Sequence, residues 1–391
     1  MARALDLRQI AAGFDIIVLH IHPFDPLPIL ALSWPNRPPT IFLNHAPHLF
    51  WLGRSISDVV TFGRDAAKEI CVARRGIDPD ACFFLPVVID PENTKATARD
   101  DIRRELQVGA RDLLLITVAS ESKLQTVGSH DLGETVIEAI SADPNIVWRV
   151  VGPSPNGRWA EFAERTEGRV RAVGVRDDHG LYAAADVFVD SYPFASRTAM
   201  FDAAAAGIPL LAPRWHPPAA TILSSWGSPV DAAILPFDDE LSLARQLRIL
   251  RKEKTRRRWG RLAAERISES YRATWVARLN DLYAFAAERA SLRNDLGSAR
   301  HPLPAETQPN DLDRYLRQIY SVTEVQRVLL GWHRIETNFR ADVTFPAEEA
   351  SLAESTGLAA FIGEQSLTIR DHEARIVDLE QMLAAQSPGS A

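Results

Sequence analysis

The stretch Ala185-Asp186-Val187-Phe188-Val189-Asp190-Ser191-Tyr192-Pro193-Phe194-Ala195-Ser196-Arg197-Thr198-Ala199-Met200-Phe201-Asp202-Ala203-Ala204-Ala205-Ala206-Gly207-Ile208-Pro209-Leu210-Leu211-Ala212 decides the fold. It reads as a short apolar strand, a loop of small residues, an alanine-rich helix and a second buried strand. Gly207 is a helix stop, and Pro209 opens the next strand. The loop Ala195-Ser196-Arg197-Thr198 meets the start of the helix. Unpaired backbone N–H groups and the positive end of the helix dipole can receive an anion there. Asp202 follows one turn later, placed to accept from a ligand hydroxyl. A phosphate seat beside an acidic hydroxyl acceptor suits a nucleotide diphosphate.

The same alternation extends on both sides. Leu113 to Val118, Ile146 to Val151 and Val170 to Val173 read as strands, with helical stretches between them. Strand and helix alternating at this spacing predict a parallel α/β sheet with right-handed crossovers. Upstream, Phe14 to Leu19 reads as a continuous apolar strand of the kind buried on both faces of a parallel sheet, Pro39 to Leu43 as a second such strand, and Asp58 to Phe62 and Phe83 to Ile89 extend this second, smaller set. These make an incomplete doubly wound sheet, so the N-terminal domain is expected to be truncated. Helices are predicted over Ala219 to Trp226, over Leu241 to Arg272 with a break near Lys254, and over Trp275 to Arg293. Pro302, Pro304 and Pro309 mark a linker. Leu312 to Trp332 and Gln365 to Gln386 are predicted helices, and Ile369, Ile376, Leu379 and Leu383 in the second fit a short heptad pattern. The expected domains are 1-92 (N-terminal, acceptor side), 93-293 (C-terminal, nucleotide-sugar side), a linker at 294-311, and a helical tail at 312-391.

Composition narrows the class. The chain has 391 residues, with 44 basic and 51 acidic side chains and a net charge of −7, unlike a basic nucleic-acid-binding domain. Two cysteines imply no disulfide framework. The longest early apolar run, Phe14 to Ile21, is too short to span a bilayer. The expected location is cytoplasmic, with contact at the inner membrane face as an added candidate. The run Arg248, Arg251, Lys252, Lys254, Arg256, Arg257, Arg258 and Arg261 invites that membrane reading, but acidic neighbours such as Glu253 make a solvated helix face the better one. No metal-ligand spacing occurs.

The leading stretch resembles the GT-B-fold glycosyltransferases, retaining bacterial family 1/4-like members and the O-linked N-acetylglucosamine transferase-like group. The family pattern is roughly Asp-x-x-Leu-Asp-x-x-Pro-x-x-Gly-x-Thr-Thr-x-x-Asp-Ala-x-x-x-Gly-x-Pro-Val-Val. It is matched here from Asp186 and Asp190 through Pro193, Thr198 and Asp202-Ala203 to Gly207-Ile208-Pro209. The likeness covers about residues 14–290. It implies two Rossmann-like parallel-sheet domains and transfer of a sugar from a nucleotide-diphosphate donor, in polysaccharide or glycoconjugate synthesis. By the resemblance, Asp202 accepts the ribose hydroxyls, and Thr198 with Ser196, Arg197 and nearby N–H groups holds the diphosphate. Lys123 neutralises charge on the leaving group, the Gly174-Val175 loop touches the base, and His45 faces the sugar from the other domain. The catalytic candidates are thus His45 and Lys123. The chain differs from many members in offering Ser196 or Arg197 where a glutamate is common, and Ala199 where a second threonine is. No cofactor or metal is implied, because Lys123 and the helix start supply the positive charge. The implied partners are the donor, a saccharide, lipid-linked or protein acceptor, and a self- or partner contact through the C-terminal helices.

Plainer readings stand beside these. Thr198 also suits a helix N-cap, Lys123 a solvated loop, and His45 or His48 a structural histidine at a strand end. At most one of His20 and His22 is expected to face the cleft. The rival functions are a non-catalytic scaffold and an epimerase of the same fold. An epimerase wants paired carboxylates as acid and base, and no such pair is evident.

Overall fold

The computed structural model describes residues 2–23, 25–34, 36–49, 51–87, 99–176, 180–228, 230–268, 275–293 and 310–320. All of these residues belong to one compact unit, Met1–Thr323. The heptad segment at Gln365 to Gln386, the proline linker and the part of the Leu312 to Trp332 helix beyond Tyr320 lie outside the described residues.

The first sheet is four parallel strands in the order β1-β2-β3-β4, from β1 (Ile17–Leu19), β2 (Thr40–Leu43), β3 (Val59–Phe62) and β4 (Cys82–Phe84). Helices α1 (Ala2–Ala11), α2 (Leu27–Leu32) and α3 (Asp65–Arg75) accompany it. β1 is shorter than the Phe14 to Leu19 run, and it is not buried on both faces as that run predicts. It is an edge strand in this sheet, where Val18 is 42% exposed and Phe14 61% exposed.

The second sheet has six parallel strands in the order β10-β9-β8-β5-β6-β7. They are β5 (Leu113–Val118), β6 (Ile146–Val151), β7 (Val170–Ala172), β8 (Val187–Val189), β9 (Leu210–Pro213) and β10 (Ile234–Phe237). Before, between and after them run α4 (Arg99–Glu105), α5 (Leu132–Ile140), α6 (Arg158–Arg165), α7 (Leu181–Ala184), α8 (Arg197–Ala205), α9 (Glu240–Leu250) and α10 (Glu253–Ile267). The break between α9 and α10 falls where the sequence places it. The segment predicted as a helix over Ala219 to Trp226 is instead a 3-10 turn, Pro218–Leu223, entered through the consecutive prolines Pro217 and Pro218. Burial on both faces explains the largely apolar character of these strands, with Leu114, Leu115 and Ile116 all fully buried.

Strand order fixes the position of the site. β5 pairs with β6 on one side and with β8 on the other, Leu115 opposite Val187 and Ile116 opposite Phe188. The chain reverses its direction of winding at that pair. In open parallel sheets a ligand crevice forms at such a point, beyond the carboxyl ends of the strands. The loops leaving β5 and β8 carry Lys123 and Asp190.

After α10 the chain returns to the first sheet. In α11 (Trp275–Ser291), Leu282 and Ala286 pack against Ile41 of β2 and Val59 of β3. Just past it, Arg293 donates to both carboxylate oxygens of the buried Asp58. The last described helix, α12 (Asp311–Tyr320), buries Leu312, Tyr315, Leu316 and Ile319 in a core that includes residues of both sheet regions, among them Phe62, Ala67, Trp215 and Leu223. No helix among the described residues is long and apolar enough to cross a membrane.

Candidate functional site

Asp190 closes β8 and organises the loop that follows. It is fully buried. Its Oδ1 accepts the N–H groups of Ser191 and Ser196, each at 2.8 Å, and its Oδ2 accepts the Ser225 hydroxyl. One carboxylate therefore ties both ends of the Ser191–Ser196 loop, which contains a cis Tyr192–Pro193 bond, to the loop after β9. Burial pushes the Asp190 carboxyl up, and the three donors together with Lys123 pull it back.

Ser196 is the residue before α8. Its hydroxyl accepts from Ser191 Oγ at 3.0 Å, and its side chain makes no bond to the first turn of the helix. The backbone N–H groups of Arg197, Thr198 and Ala199 thus start a nine-residue helix with no side-chain cap, the arrangement that receives anions. Thr198 is exposed there, and the Arg197 guanidinium lies over Phe201 at 5.4 Å. Asp202 sits one turn on, half-buried, beside Tyr182, whose phenol is pushed up by burial and by the Asp202 charge.

Lys123 ends a 3-10 turn, Glu121–Lys123, directly after β5. Burial pulls its ammonium below the usual lysine range, and the Asp190 charge opposes this. Lys123, Asp190 and Ser196 are therefore brought together. Gly174 lies at the neighbouring strand end: its carbonyl accepts from Gly152 N–H at 2.8 Å, and its own N–H donates to Pro153 O at 3.1 Å. Val175 is 86% exposed, and Arg176 pairs with Glu105 at 2.9 Å.

The first sheet forms the opposite wall. His45 follows β2, with its ring edge-on to His20 at 4.9 Å. Burial holds His45 below the usual histidine range, and both His20 and His22 act on it in the same direction. His48 lies nearer the second sheet. Its ring meets Phe194 of the Asp190 loop at 5.0 Å, and it feels Arg64, His45 and Lys123. Arg64, the residue before α3, donates from one guanidinium nitrogen to the carbonyls of Thr221 (3.4 Å), Ser224 (2.9 Å) and Trp226 (3.2 Å). His216 donates from Nε2 to the Pro193 carbonyl at 2.8 Å. Sequence reasoning passed over Asp190, Arg64 and His216 as site residues. The available signal for the first two is a lone charged residue at the carboxyl end of an apolar strand; His216 has none.

Burial lowers His48 to about 3 and His216 to about 4, with Arg64 contributing to both. Both imidazoles are neutral in the folded chain, whereas the unfolded chain protonates them near 6.5. Their contribution to stability is present above pH 6.5 and is lost as pH falls from 6.5 toward 4. Each contributes a slope of up to about 1.4 kcal/mol per pH unit. Urea unfolding at pH 7.5, 6 and 5 is expected to show this decline, and His48→Gln is expected to flatten it. An unchanged slope in that variant would reject the assignment.

Among the described residues no group of three or more His, Cys, Asp or Glu side chains is arranged to hold a metal. No family model matches the sequence, and no curated protein matches it significantly. Solved structures do. HepE from Anabaena, in complex with UDP-glucose, superposes with a TM-score of 0.56 at 16% identity, covering 72% of this chain and 82% of that one. A glycosyltransferase from Rickettsia africae superposes at 0.55 with 12% identity, covering 74% and 80%. The α,α-trehalose 6-phosphate synthase from Burkholderia multivorans superposes at 0.52 with 14% identity, covering 74% and 75%. The chain has the GT-B glycosyltransferase fold, with two parallel-sheet α/β regions.

Proposed function

We propose that the chain transfers a sugar from a nucleotide-diphosphate donor to an acceptor hydroxyl. One observation carries the reading. The switch point of the six-stranded sheet gathers Lys123, the buried Asp190 loop and the uncapped start of α8 beneath a wall bearing His45 and His48. In the proposed reaction the bond from the anomeric carbon to the diphosphate oxygen breaks, and the acceptor oxygen bonds to that carbon and loses its proton. The departing diphosphate gains negative charge. Lys123 and the first N–H groups of α8, with Ser196, Arg197 and Thr198, stabilise that charge where it develops. No metal is needed for this step. Asp202 accepts the ribose hydroxyls, Gly174 and Val175 border the base, and His45, with His48 deeper in the cleft, faces the sugar. The fold-level likeness to HepE, whose structure holds UDP-glucose, makes UDP the first nucleotide to try. We assign the reaction to polysaccharide or glycoconjugate synthesis in the cytoplasm, on a saccharide, lipid-linked or protein acceptor.

Calorimetric titration with UDP, GDP and ADP tests this. One of the three is expected to bind, and Asp202→Ala is expected to weaken it by about 1–3 kcal/mol, the usual cost of losing a buried hydroxyl acceptor. If none binds the wild type, the transferase reading fails and a scaffold role replaces it. Equal binding by Asp202→Ala would move the ribose elsewhere.

A further inference from the structure

Helix α12 has no part in the sugar-transfer reading, yet it touches residues of both sheet regions. Its start is closed by a reciprocal pair: Asn310 N–H donates to Asp313 Oδ2 at 2.9 Å, and Asp313 N–H donates to Asn310 Oδ1 at 3.3 Å. The same carboxylate accepts from Arg74 at 2.7 and 2.6 Å, with both side chains 8% exposed. Arg74 is in the last turn of α3, on the first-sheet side. Two residues past Asp313, the Tyr315 hydroxyl donates to the Tyr192 hydroxyl at 2.9 Å. Tyr192 belongs to the loop that Asp190 holds, and its ring packs against His216, whose Nε2 holds the next carbonyl, Pro193 O. Burial pushes both phenols up, so this hydroxyl pair stays protonated through neutral pH. The ion pair and the hydroxyl pair lie on one short helix and reach residues of the two sheet regions.

We propose that Tyr315 is a positioning residue for the anion-binding loop: α12, anchored to α3 through Asp313 and Arg74, holds Tyr192 and thereby fixes the Ser191–Ser196 loop and the start of α8. The loop's readiness for a ligand then depends on α12 being docked. Only the nucleotide arm of the test rests on the proposed function.

The first arm is hydrogen exchange of the full chain without nucleotide, read by mass spectrometry on a peptide covering residues 190–200. Tyr315→Phe keeps the ring and removes one hydroxyl. It is expected to speed exchange in that peptide at least threefold while a peptide over Leu113 to Val118 stays unchanged. Tyr192→Phe is expected to do the same, and the double variant no more than either. Asp313→Asn, which weakens the anchor and leaves the hydroxyls intact, is expected to act in the same direction. Wild-type exchange at 190–200 in Tyr315→Phe overturns the proposal, and so does an increase spread evenly over the whole chain. In the second arm, UDP is expected to bind Tyr315→Phe three- to tenfold more weakly than wild type, with the thermal midpoint within two degrees. A wild type that binds none of UDP, GDP and ADP removes the nucleotide reading and leaves the exchange result to decide the role of Tyr315; if GDP or ADP binds instead of UDP, that nucleotide is used in this arm.

Discussion

Asp190→Ala is expected to lose about 3–5 kcal/mol of folding stability, measured by urea unfolding, and with it any nucleotide binding. The carboxylate is fully buried and accepts from Ser191 N–H, Ser196 N–H and Ser225 Oγ. Alanine leaves those three donors facing a void, and Ser191, Ser196 and Ser225 are themselves buried. It also removes the charge opposite Lys123, whose ammonium is already held down by burial. Asp190→Asn keeps one oxygen for the two backbone donors and is expected to lose about 1 kcal/mol, since the Ser225 hydroxyl can turn to accept instead of donate. Ser225→Ala is expected to fall in the same range. An Asp190→Ala protein as stable as Ser225→Ala would show that the loop is held by packing and not by this carboxylate.

Gly152→Ala is the second large effect. Gly152 follows β6 with φ at +117°, a conformation that side chains resist. A Cβ there would lie 2.0 Å from the Ala119 carbonyl oxygen and 2.8 Å from its carbon. Both obstacles are backbone, and Ala119 is pinned in turn by its N–H bond to Val151 O at 2.9 Å. The loop from Ala119 to Lys123 must therefore shift for the variant to fold. Strain and displacement together are expected to lower stability by about 3–5 kcal/mol. Nucleotide affinity is expected to fall too, because Lys123 moves with the loop. Gly157→Ala is the matched control: its φ is +59°, but nothing lies within 4 Å of the added Cβ. It is expected to cost only about 1 kcal/mol of backbone strain and to leave binding unchanged. Equal losses in the two variants would reject the close-approach argument.

The second sheet was legible because its strands are buried on both faces, which leaves largely apolar runs at Leu113 to Val118, Ile146 to Val151 (interrupted by the buried Arg149) and Val187 to Val189. The first strand was overread for the converse reason: an edge position lets Phe14 and Val18 stay exposed, so apolar character there does not mark a buried strand. The Lys123 loop and the start of α8 were legible as strand-end and helix-start chemistry. What makes them one site is the pairing of β5 with β8, between residues some seventy positions apart, and no local pattern encodes it. The same holds for Arg64, which reaches carbonyls at Thr221, Ser224 and Trp226, and for Tyr315 against Tyr192. Asp190 was in view within the motif, but its burial and its three donors emerge only once the loop is folded around it.

The return of α11 to the first sheet has a consequence for how the chain is made. Ile41 and Val59 are covered by Leu282 and Ala286, and Asp58 meets its partner Arg293 across a separation of 235 residues. On a ribosome, β2 and β3 emerge long before the helix that seals them. At about 5–20 residues per second the wait is on the order of ten to fifty seconds. Until then the first sheet carries an open apolar face and Asp58 lacks Arg293, while the six-stranded region gains its last strand at Phe237, before α11 is made. The later sheet is thus the natural first unit to consolidate, and the amino-terminal one completes last, against the usual order of synthesis.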